Sequence, residues 1–240
     1  MFDLHCHLLP GIDDGPATLE QSILLAKKSV ECGITHVVCT PHIHFGVYDN
    51  TKSDIQSSVE FLKMNLKAER IPLNIAAAAE IRLCAQLPLL LKSGEVPLYG
   101  NVDGRSVVLL EFPSNSIPYG SIQLVDWMLA NGYLPMIAHP ERNLAFIDDV
   151  ALLKPFLDRN CLIQVTAGSV EGKFGVKPKR LVDKLILEDR VDVMASDAHN
   201  LQYRPPCMLD AVDEVTRVKG SIYAMKLVFD NPLKITESMF

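Results

Sequence analysis

The amino terminus carries two histidines with the spacing of metal ligands on an extended strand. In the stretch FDLHCHLLPGIDDG, His5 and His7 are two residues apart. Their side chains should therefore leave one face of a strand, while Cys6 leaves the other. Two carboxylates, Asp13 and Asp14, follow in the next turn. Since two imidazoles on one face can bind the same ion, this segment predicts the beginning of a metal site.

Further imidazoles and carboxylates stand at the ends of apolar runs along the rest of the chain. Six of seven predicted strands finish on such a side chain, and with one acid of the PGIDDG turn they give nine candidate ligands: His5, His7, Asp14, His42, Glu80, Glu111, His139, Asp197 and His199. This number exceeds the ligands of one tetrahedral zinc and predicts a polynuclear site. Nitrogen and oxygen donors without thiolate favour manganese, iron or zinc. His36 and His44 lie outside the pattern and are expected not to bind metal.

The elements that must position these groups alternate between strand and helix. Strands are predicted at FDLHCHLL, ITHVVCT, LNIAAAAEI, SVVLLEF, LPMIAHP, CLIQVTAG and VDVMASDAH. Helices are predicted between them, such as DVALLKPFLDRN and TLEQSILLAKKSVECG, where Thr18 and Gln21 form a candidate capping box and Gly33 a stop. About seven strand–helix units without a linker predict parallel strands in a single domain, residues 1–240.

The position of the polar groups distinguishes two arrangements of these strands. An open, doubly wound sheet fits the alternation, but it would spread the candidate ligands along a line, one strand spacing apart. A closed α/β barrel brings the carboxyl ends of all its strands to one mouth. The ligand pattern therefore favours a barrel.

Composition narrows the function and the setting. A net charge of −6 and a pI near 5.6 give no overall attraction to nucleic acid or to an anionic membrane. Six scattered cysteines without a C-x-x-C pair suit the reducing cytoplasm. Neither a signal peptide nor an apolar run long enough to span a bilayer is predicted.

The motifs DLHCHLLPGIDDG, TPH, AEIRL, LLEFP, IAHPERN, QVTAGSVEGKFG and ASDAHN resemble those of the polymerase and histidinol phosphatase (PHP) family. They are most similar to its bacterial tyrosine-protein phosphatase branch, which is found beside exopolysaccharide and capsule synthesis systems. The resemblance covers nearly the whole chain and implies a distorted (β/α)7, TIM-like barrel with a three-metal manganese site. It implies one ion at His5, His7 and Asp197, a second at Glu111 and His139, a third at Asp14, His42 and His199, and Glu80 as a bridge. Asp13 is left as a structural neighbour.

The resemblance also implies substrate contacts and a reaction. Arg142 and Arg204 match basic residues that face the substrate phosphate, as suits the forked geometry of guanidinium donors. A metal-activated hydroxide would hydrolyse phosphotyrosine, and His42 or Asp197 would assist proton movement. The implied substrate is an autophosphorylating bacterial tyrosine kinase that regulates exopolysaccharide or capsule synthesis.

Other functions remain open from the sequence alone. The same family includes small-molecule phosphomonoesterases, such as histidinol phosphatases, and nucleases, although the acidic composition disfavours nucleic acid. A non-catalytic binding domain on the same scaffold would not need the full ligand set. The cysteine-nucleophile route of other tyrosine phosphatases is not expected, because the chain has no Cys-x5-Arg loop.

Overall fold

The fold was obtained as a computed structural model that describes residues 1–240. Its strands are β1 Phe2–Cys6, β2 His36–Cys39, β3 His42–Ile43, β4 Asn74–Ala77, β5 Glu80–Arg82, β6 Asn101–Val102, β7 Arg105–Glu111, β8 Tyr133–Ala138, β9 Leu162–Thr166 and β10 Val193–Ala195. Its helices are α1 Leu19–Glu31, α2 Lys52–Ala68, α3 Leu87–Ser93, α4 Ser121–Ala130, α5 Leu144–Asp148, α6 Lys154–Leu157, α7 Ala167–Val170, α8 Val176–Leu187, α9 Leu209–Lys219, α10 Ser221–Met225 and α11 Asn231–Thr236. None of the helices is both long and apolar enough to cross a lipid bilayer.

The strands are almost all parallel, as their alternation with helices predicts. One hydrogen-bonded path runs β1-β2-β4, and a second runs β10-β9-β8-β7-β5-β3, with the short strand β6 antiparallel to β7. Backbone bonds also connect β1 with the segment that follows β10: the amide of Asp197 donates to the carbonyl of His5, and the amide of His7 donates to that of Ala198, both at 2.8 Å. The first and last strands are therefore neighbours.

Two apolar cores lie on the two faces of the strands. In β7 the side chains of Val107 and Leu109 belong to a 14-residue cluster, whereas Val108 and Leu110 belong to a 48-residue cluster that also contains the helices. This alternation is the period of two that a strand imposes. Because both faces are covered, the strands are mostly apolar before their carboxyl ends, with Asp3 in β1 and Gln164 in β9 as buried polar exceptions.

Several predicted elements differ from the observed ones. The stretch DVALLKPFLDRN is not one helix, because a 3-10 turn at Val150–Leu153 precedes the short helix α6, whose second residue is Pro155. Proline has no amide hydrogen and fits only the first turn of a helix. In α1 the hydroxyl of Thr18 accepts from the amide of Gln21, as predicted, but the Gln21 side chain accepts from Ala17 instead of closing the capping box.

The third predicted strand is divided in two, and a short strand that was not predicted follows the second. Cys39 ends β2, and β3 begins at His42 after Pro41; Ala77 ends β4, and β5 begins at Glu80. The strands β3 and β5 both pair on the β7 side of the sheet. This pairing places His42 and Glu80 opposite each other in register.

Candidate metal centre

The structure brings together all nine residues that the sequence predicts as ligands. They form four overlapping groups: His7, Asp14, His42 and His199; His5, His7 and Glu80; His5, His139 and Asp197; and His42, Glu80 and Glu111. Within each group, one donor atom from every residue lies within 4.8 Å of the others. His36, in contrast, stacks on Phe2 with ring centroids 4.4 Å apart, and neither it nor His44 belongs to any of the groups.

Glu80 lies at the centre of the cluster, and its side chain is 1% exposed. Its Oε2 atom is 3.3 Å from Nε2 of His5, 3.4 Å from Nε2 of His7 and 3.0 Å from Nδ1 of His42. Its Oε1 atom is 2.8 Å from Nε2 of His139. One carboxylate therefore contacts four imidazoles, which together belong to all four groups, so Glu80 would be shared between bound ions.

Asp197 contacts the same two N-terminal histidines as Glu80. Its Oδ1 atom is 3.3 Å from Nε2 of His5 and 3.4 Å from Nε2 of His7. Its Oδ2 atom accepts hydrogen bonds from the guanidinium groups of both Arg142 and Arg204. The two arginines are thus adjacent to the cluster, and both are partly exposed to solvent.

Asp14 forms the solvent-facing edge of the cluster, with a side chain 45% exposed. Its Oδ1 atom is 3.4 Å from Nε2 of His42 and 3.3 Å from Nε2 of His199. His199 is itself buried, and its Nδ1 atom is 3.0 Å from the carbonyl of Asp197. This contact leaves Nε2 of His199 free to face Asp14.

The donor atoms at the centre are suited to metal ions. Oε2 of Glu80, Oδ1 of Asp197 and Nε2 of His199 are buried and form no well-aligned hydrogen bond. Buried polar atoms without partners are costly, and a bound cation would satisfy them. The donors are nitrogen and oxygen only, since Cys6 packs into the larger core. The residues present therefore fit metal ions of the kind that imidazole and carboxylate bind together.

Two side chains outside the nine candidate ligands contact the N-terminal histidines: Asp13, predicted as a structural neighbour, and Gln164, which the sequence did not single out. Nδ1 of His7 is 2.6 Å from the carboxylate of Asp13, and Nδ1 of His5 is 3.0 Å from Oε1 of Gln164. Such contacts fix a ring so that its other nitrogen faces the ligand site. A lone polar residue in the apolar run CLIQVTAG was the available signal for Gln164, which is buried.

Gly15 allows the turn that carries Asp13 and Asp14 to approach β1 closely. A Cβ atom on Gly15 would lie 2.5 Å from the carbonyl oxygen of His7. The amide of Gly15 also donates to Asp13 at 2.9 Å. A larger residue here would push the turn away from the cluster.

The strand ends that carry His139 and Asp197 have unusual backbone conformations. Both residues lie in the left-handed region, with φ of 30° and 53°. Residues other than glycine adopt this region at a cost, and such positions concentrate at functional sites. At these two positions the backbone turns the side chains toward the cluster.

The cluster shifts the pKa values of its members in opposite directions. Burial opposes ionisation of Glu80, but the charge of His5 and hydrogen bonds from His139 and His42 hold its pKa well below the usual range. Burial and the charge of Glu80 raise the pKa of Glu111 to about 7. Burial and the charge of Arg142 lower the pKa of His139 to about 4, so this imidazole is neutral and able to bind a cation.

Glu111 forms a salt bridge with Arg82, a residue that the sequence did not indicate as part of the site. Its Oε2 atom is 3.0 Å from Nε of Arg82 and 3.8 Å from Nδ1 of His42. His139 belongs instead to the group with His5 and Asp197. Glu111 and His139 nevertheless line one small pocket of about 180 Å³.

Sequence comparison identifies relatives over nearly the whole chain. The family profile described as capsular polysaccharide synthesis, CpsB/CapC, matches residues 1–237. The tyrosine-protein phosphatase CpsB of Streptococcus pneumoniae is 31% identical over 243 residues, which cover 98% of each chain. The tyrosine-protein phosphatase YwqE of Bacillus subtilis is 33% identical over 204 residues, covering 85% of this chain and 79% of the relative.

Structure comparison agrees. A solved structure described as belonging to YwqE from Bacillus subtilis and CpsB from Streptococcus pneumoniae, unique metal-dependent tyrosine phosphatases, superposes with a TM-score of 0.92 at 30% identity. The match covers 100% of this chain and 96% of that one. An organophosphorus hydrolase from Deinococcus radiodurans, at 16% identity and a TM-score of 0.60, shares the fold alone.

Proposed function

The chain belongs to the CpsB/CapC family of capsular polysaccharide synthesis proteins, and we propose that it is a metal-dependent protein-tyrosine phosphatase. One observation carries the proposal. Nine imidazole and carboxylate side chains converge, several of their buried donor atoms form no well-aligned hydrogen bond, and two arginines lie directly beside them. The relatives that match over most of the chain are named tyrosine-protein phosphatases, and a matching solved structure is described as metal-dependent.

We assign the metal-binding role to the nine clustered residues and propose three manganese ions, with iron or zinc as alternatives. His5, His7 and Asp197 would hold one ion, Glu111 and His139 a second, and Asp14, His42 and His199 a third, with Glu80 shared. The central position of Glu80 and the short contacts of Asp197 with His5 and His7 support this grouping. When bound, the ions supply Lewis-acid stabilisation of the phosphoryl oxygens and lower the pKa of water at the site.

Arg142 and Arg204 are the proposed phosphate-binding residues. Both guanidinium groups donate to one carboxylate oxygen of Asp197, so both already converge on an anionic acceptor at the edge of the cluster. Further N–H groups remain on each fork, and these can donate to the equatorial phosphoryl oxygens whose charge the reaction redistributes. The ring of Phe174 supports Arg142, whose guanidinium carbon lies 4.8 Å from the ring centroid.

Two residues are candidates for moving the leaving-group proton. In the metal-free protein, hydrogen bonds with Asp14 and Glu80 outweigh the burial of His42 and raise its pKa to about 9. The side chain of His42 is 14% exposed, so it can reach a substrate at the mouth. The pKa of Asp197 is held well below its usual range, against its burial, by the charges of His5 and Arg142, which keeps it an acceptor.

The architecture that we propose is a single domain, residues 1–240, folded as a distorted (β/α)7 barrel. Counting β2 with β3 and β4 with β5 as interrupted strands gives seven parallel strands, and the backbone bonds between β1 and the end of β10 support closure. In such a barrel the active site lies at the carboxyl ends of the strands, where the nine residues are found.

The physiological substrate that we propose is an autophosphorylating tyrosine kinase that regulates capsule or exopolysaccharide synthesis. The family description and the names of the relatives support this setting. We place the reaction in the cytoplasm; all six cysteines are free, which suits a reducing compartment.

A substrate panel tests the proposed function. The purified, manganese-supplemented protein is given a phosphotyrosine peptide, histidinol phosphate and an oligonucleotide, and released phosphate or cleaved strand is measured. We expect the phosphotyrosine peptide to have the highest kcat/KM. A preference for histidinol phosphate would instead show that the protein is a small-molecule phosphomonoesterase, and cleavage of the oligonucleotide would show that it is a nuclease.

A further inference from the structure

A pocket of about 360 Å³ opens beside the metal cluster at the Asp14 edge. Two of the clustered residues, Asp14 and His199, form part of its wall. The rest of the wall includes the apolar side chains of Leu24, Leu25 and Leu201. Its volume lies in the range of pockets that hold small ligands, about 300–1,000 Å³.

We propose that this pocket binds the aromatic ring of the phosphotyrosine substrate and so selects aryl phosphates over other phosphomonoesters. This inference rests on the proposed function, and it places the leaving group, the tyrosine ring, in this pocket. Tyr203, at the rim, and Leu24 are 74% and 51% exposed, so apolar surface is available to a ring. A phosphotyrosine side chain has an anionic phosphate attached to a flat apolar ring. The pocket has metal-binding residues at one part of its wall and apolar side chains beside them, so the phosphate would face the former and the ring the latter.

The charges around the pocket favour an aryl group over the alternatives. Asp14 is the only acidic residue in its lining, and Asp14 is already paired with His42 and His199. The ammonium group of an aminoalkyl phosphate would therefore find no free carboxylate here. The lining contains no lysine or arginine that could pair with the further phosphates of a nucleic acid.

A second cleft, of about 410 Å³, lies beside Arg142 but is a weaker candidate for the ring. It contains Phe174, whose ring is already covered by the Arg142 guanidinium. It is lined by none of the nine clustered residues. A ring bound there would have less direct access to the cluster than a ring beside His199.

The test compares two phosphonates that differ only in the ring. Phenylphosphonate and methylphosphonate are titrated by calorimetry into the manganese-loaded protein and into the Leu24→Ser/Leu201→Ser variant. Both leucines are about half exposed, so the fold should tolerate the change, which a thermal melt checks. We expect the variant to bind phenylphosphonate about fivefold more weakly or worse, because apolar contact with the ring is lost. Methylphosphonate binding should stay within about twofold, since the phosphonate contacts remain.

Two further variants complete the test. Leu233→Ser is the matched control, since Leu233 in α11 is 45% exposed, as Leu201 is, but does not line the pocket; neither ligand should change in affinity. Leu24→Trp should fill the pocket and weaken phenylphosphonate binding selectively. Equal losses for both ligands, or no loss for phenylphosphonate in either pocket variant, would overturn the proposal. The proposed function fails separately, if the wild-type protein does not hydrolyse the phosphotyrosine peptide.

Discussion

Replacement of Asp13 by alanine should weaken metal binding although Asp13 is not among the clustered ligands. The buried Asp13 carboxylate accepts from Nδ1 of His7 at 2.6 Å, from the amide of Gly15 at 2.9 Å and from the amide of His42 at 3.2 Å. Loss of a group that orients a metal-bound histidine typically reduces metal affinity about 10–100-fold. This corresponds to about 1.4–2.8 kcal/mol of binding free energy.

The same substitution should also lower the free energy of unfolding. Three hydrogen bonds disappear, one of them between a carboxylate and an imidazole, and two backbone amides lose their acceptor. We estimate a loss of about 2–4 kcal/mol, because such bonds contribute about 1 kcal/mol each and more when one partner is charged. Chemical denaturation of the metal-free protein measures this effect apart from metal binding.

The metal affinity of Asp13→Ala is measured by competition with a chelator of known affinity. Asp49→Ala is the control, because Asp49 accepts one backbone amide, from Gly46 at 2.8 Å, in an exposed loop and contacts no imidazole of the cluster. We expect wild-type affinity in the control. Wild-type metal affinity in a folded Asp13→Ala protein would refute the orienting role.

Three further predictions follow from the site. His139→Ala should lower metal content and kcat together. Arg142→Ala should instead keep its metal, raise KM and weaken transition-state binding by about 2–4 kcal/mol. Both variants are checked by elemental analysis and by kinetics, and metal loss from Arg142→Ala would contradict the assignment of Arg142 to the phosphate. Metal affinity should rise between about pH 6 and 9, by up to about tenfold per unit, because the pKa of metal-free His42 is about 9 and its proton must leave before metal binds. Calorimetry across this range checks the slope, and a flat profile would count against it. Serine substitutions at each of the six cysteines should leave turnover within about twofold, since no thiolate nucleophile is involved; a folded but inactive cysteine variant would refute this.

The candidate ligands could be predicted because their signal is local. All of them except Asp14 lie at the end of an apolar run, so each strand can be recognised by itself together with the imidazole or carboxylate at its carboxyl end. Parallel pairing then brings these ends together. The two-residue period of a strand was enough to predict that His5 and His7 share a face. The position of Glu80 at the end of LNIAAAAEI was enough to predict it as a ligand.

The contact of Gln164 with His5 could not be predicted, because the two residues are far apart in sequence. Gln164 and His5 are 159 residues apart, and no local pattern connects them. Asp13 and Asp14 are chemically alike, and the family resemblance separated them; in the structure Asp13 contacts His7 and Asp14 contacts His199. The short strand β3 and the break between β4 and β5 were missed for the same reason, since β3 pairs with β5 and β5 pairs with β7.

The most direct test of the account is to remove and restore the metal. The purified protein is treated exhaustively with a chelator, its metal content is measured, and hydrolysis of a phosphotyrosine peptide is followed before and after addition of manganese, iron or zinc. We expect the metal-free protein to be inactive, manganese to restore the activity best, and activity to increase with metal content. Full phosphotyrosine hydrolysis by a protein shown to contain no metal would contradict the account.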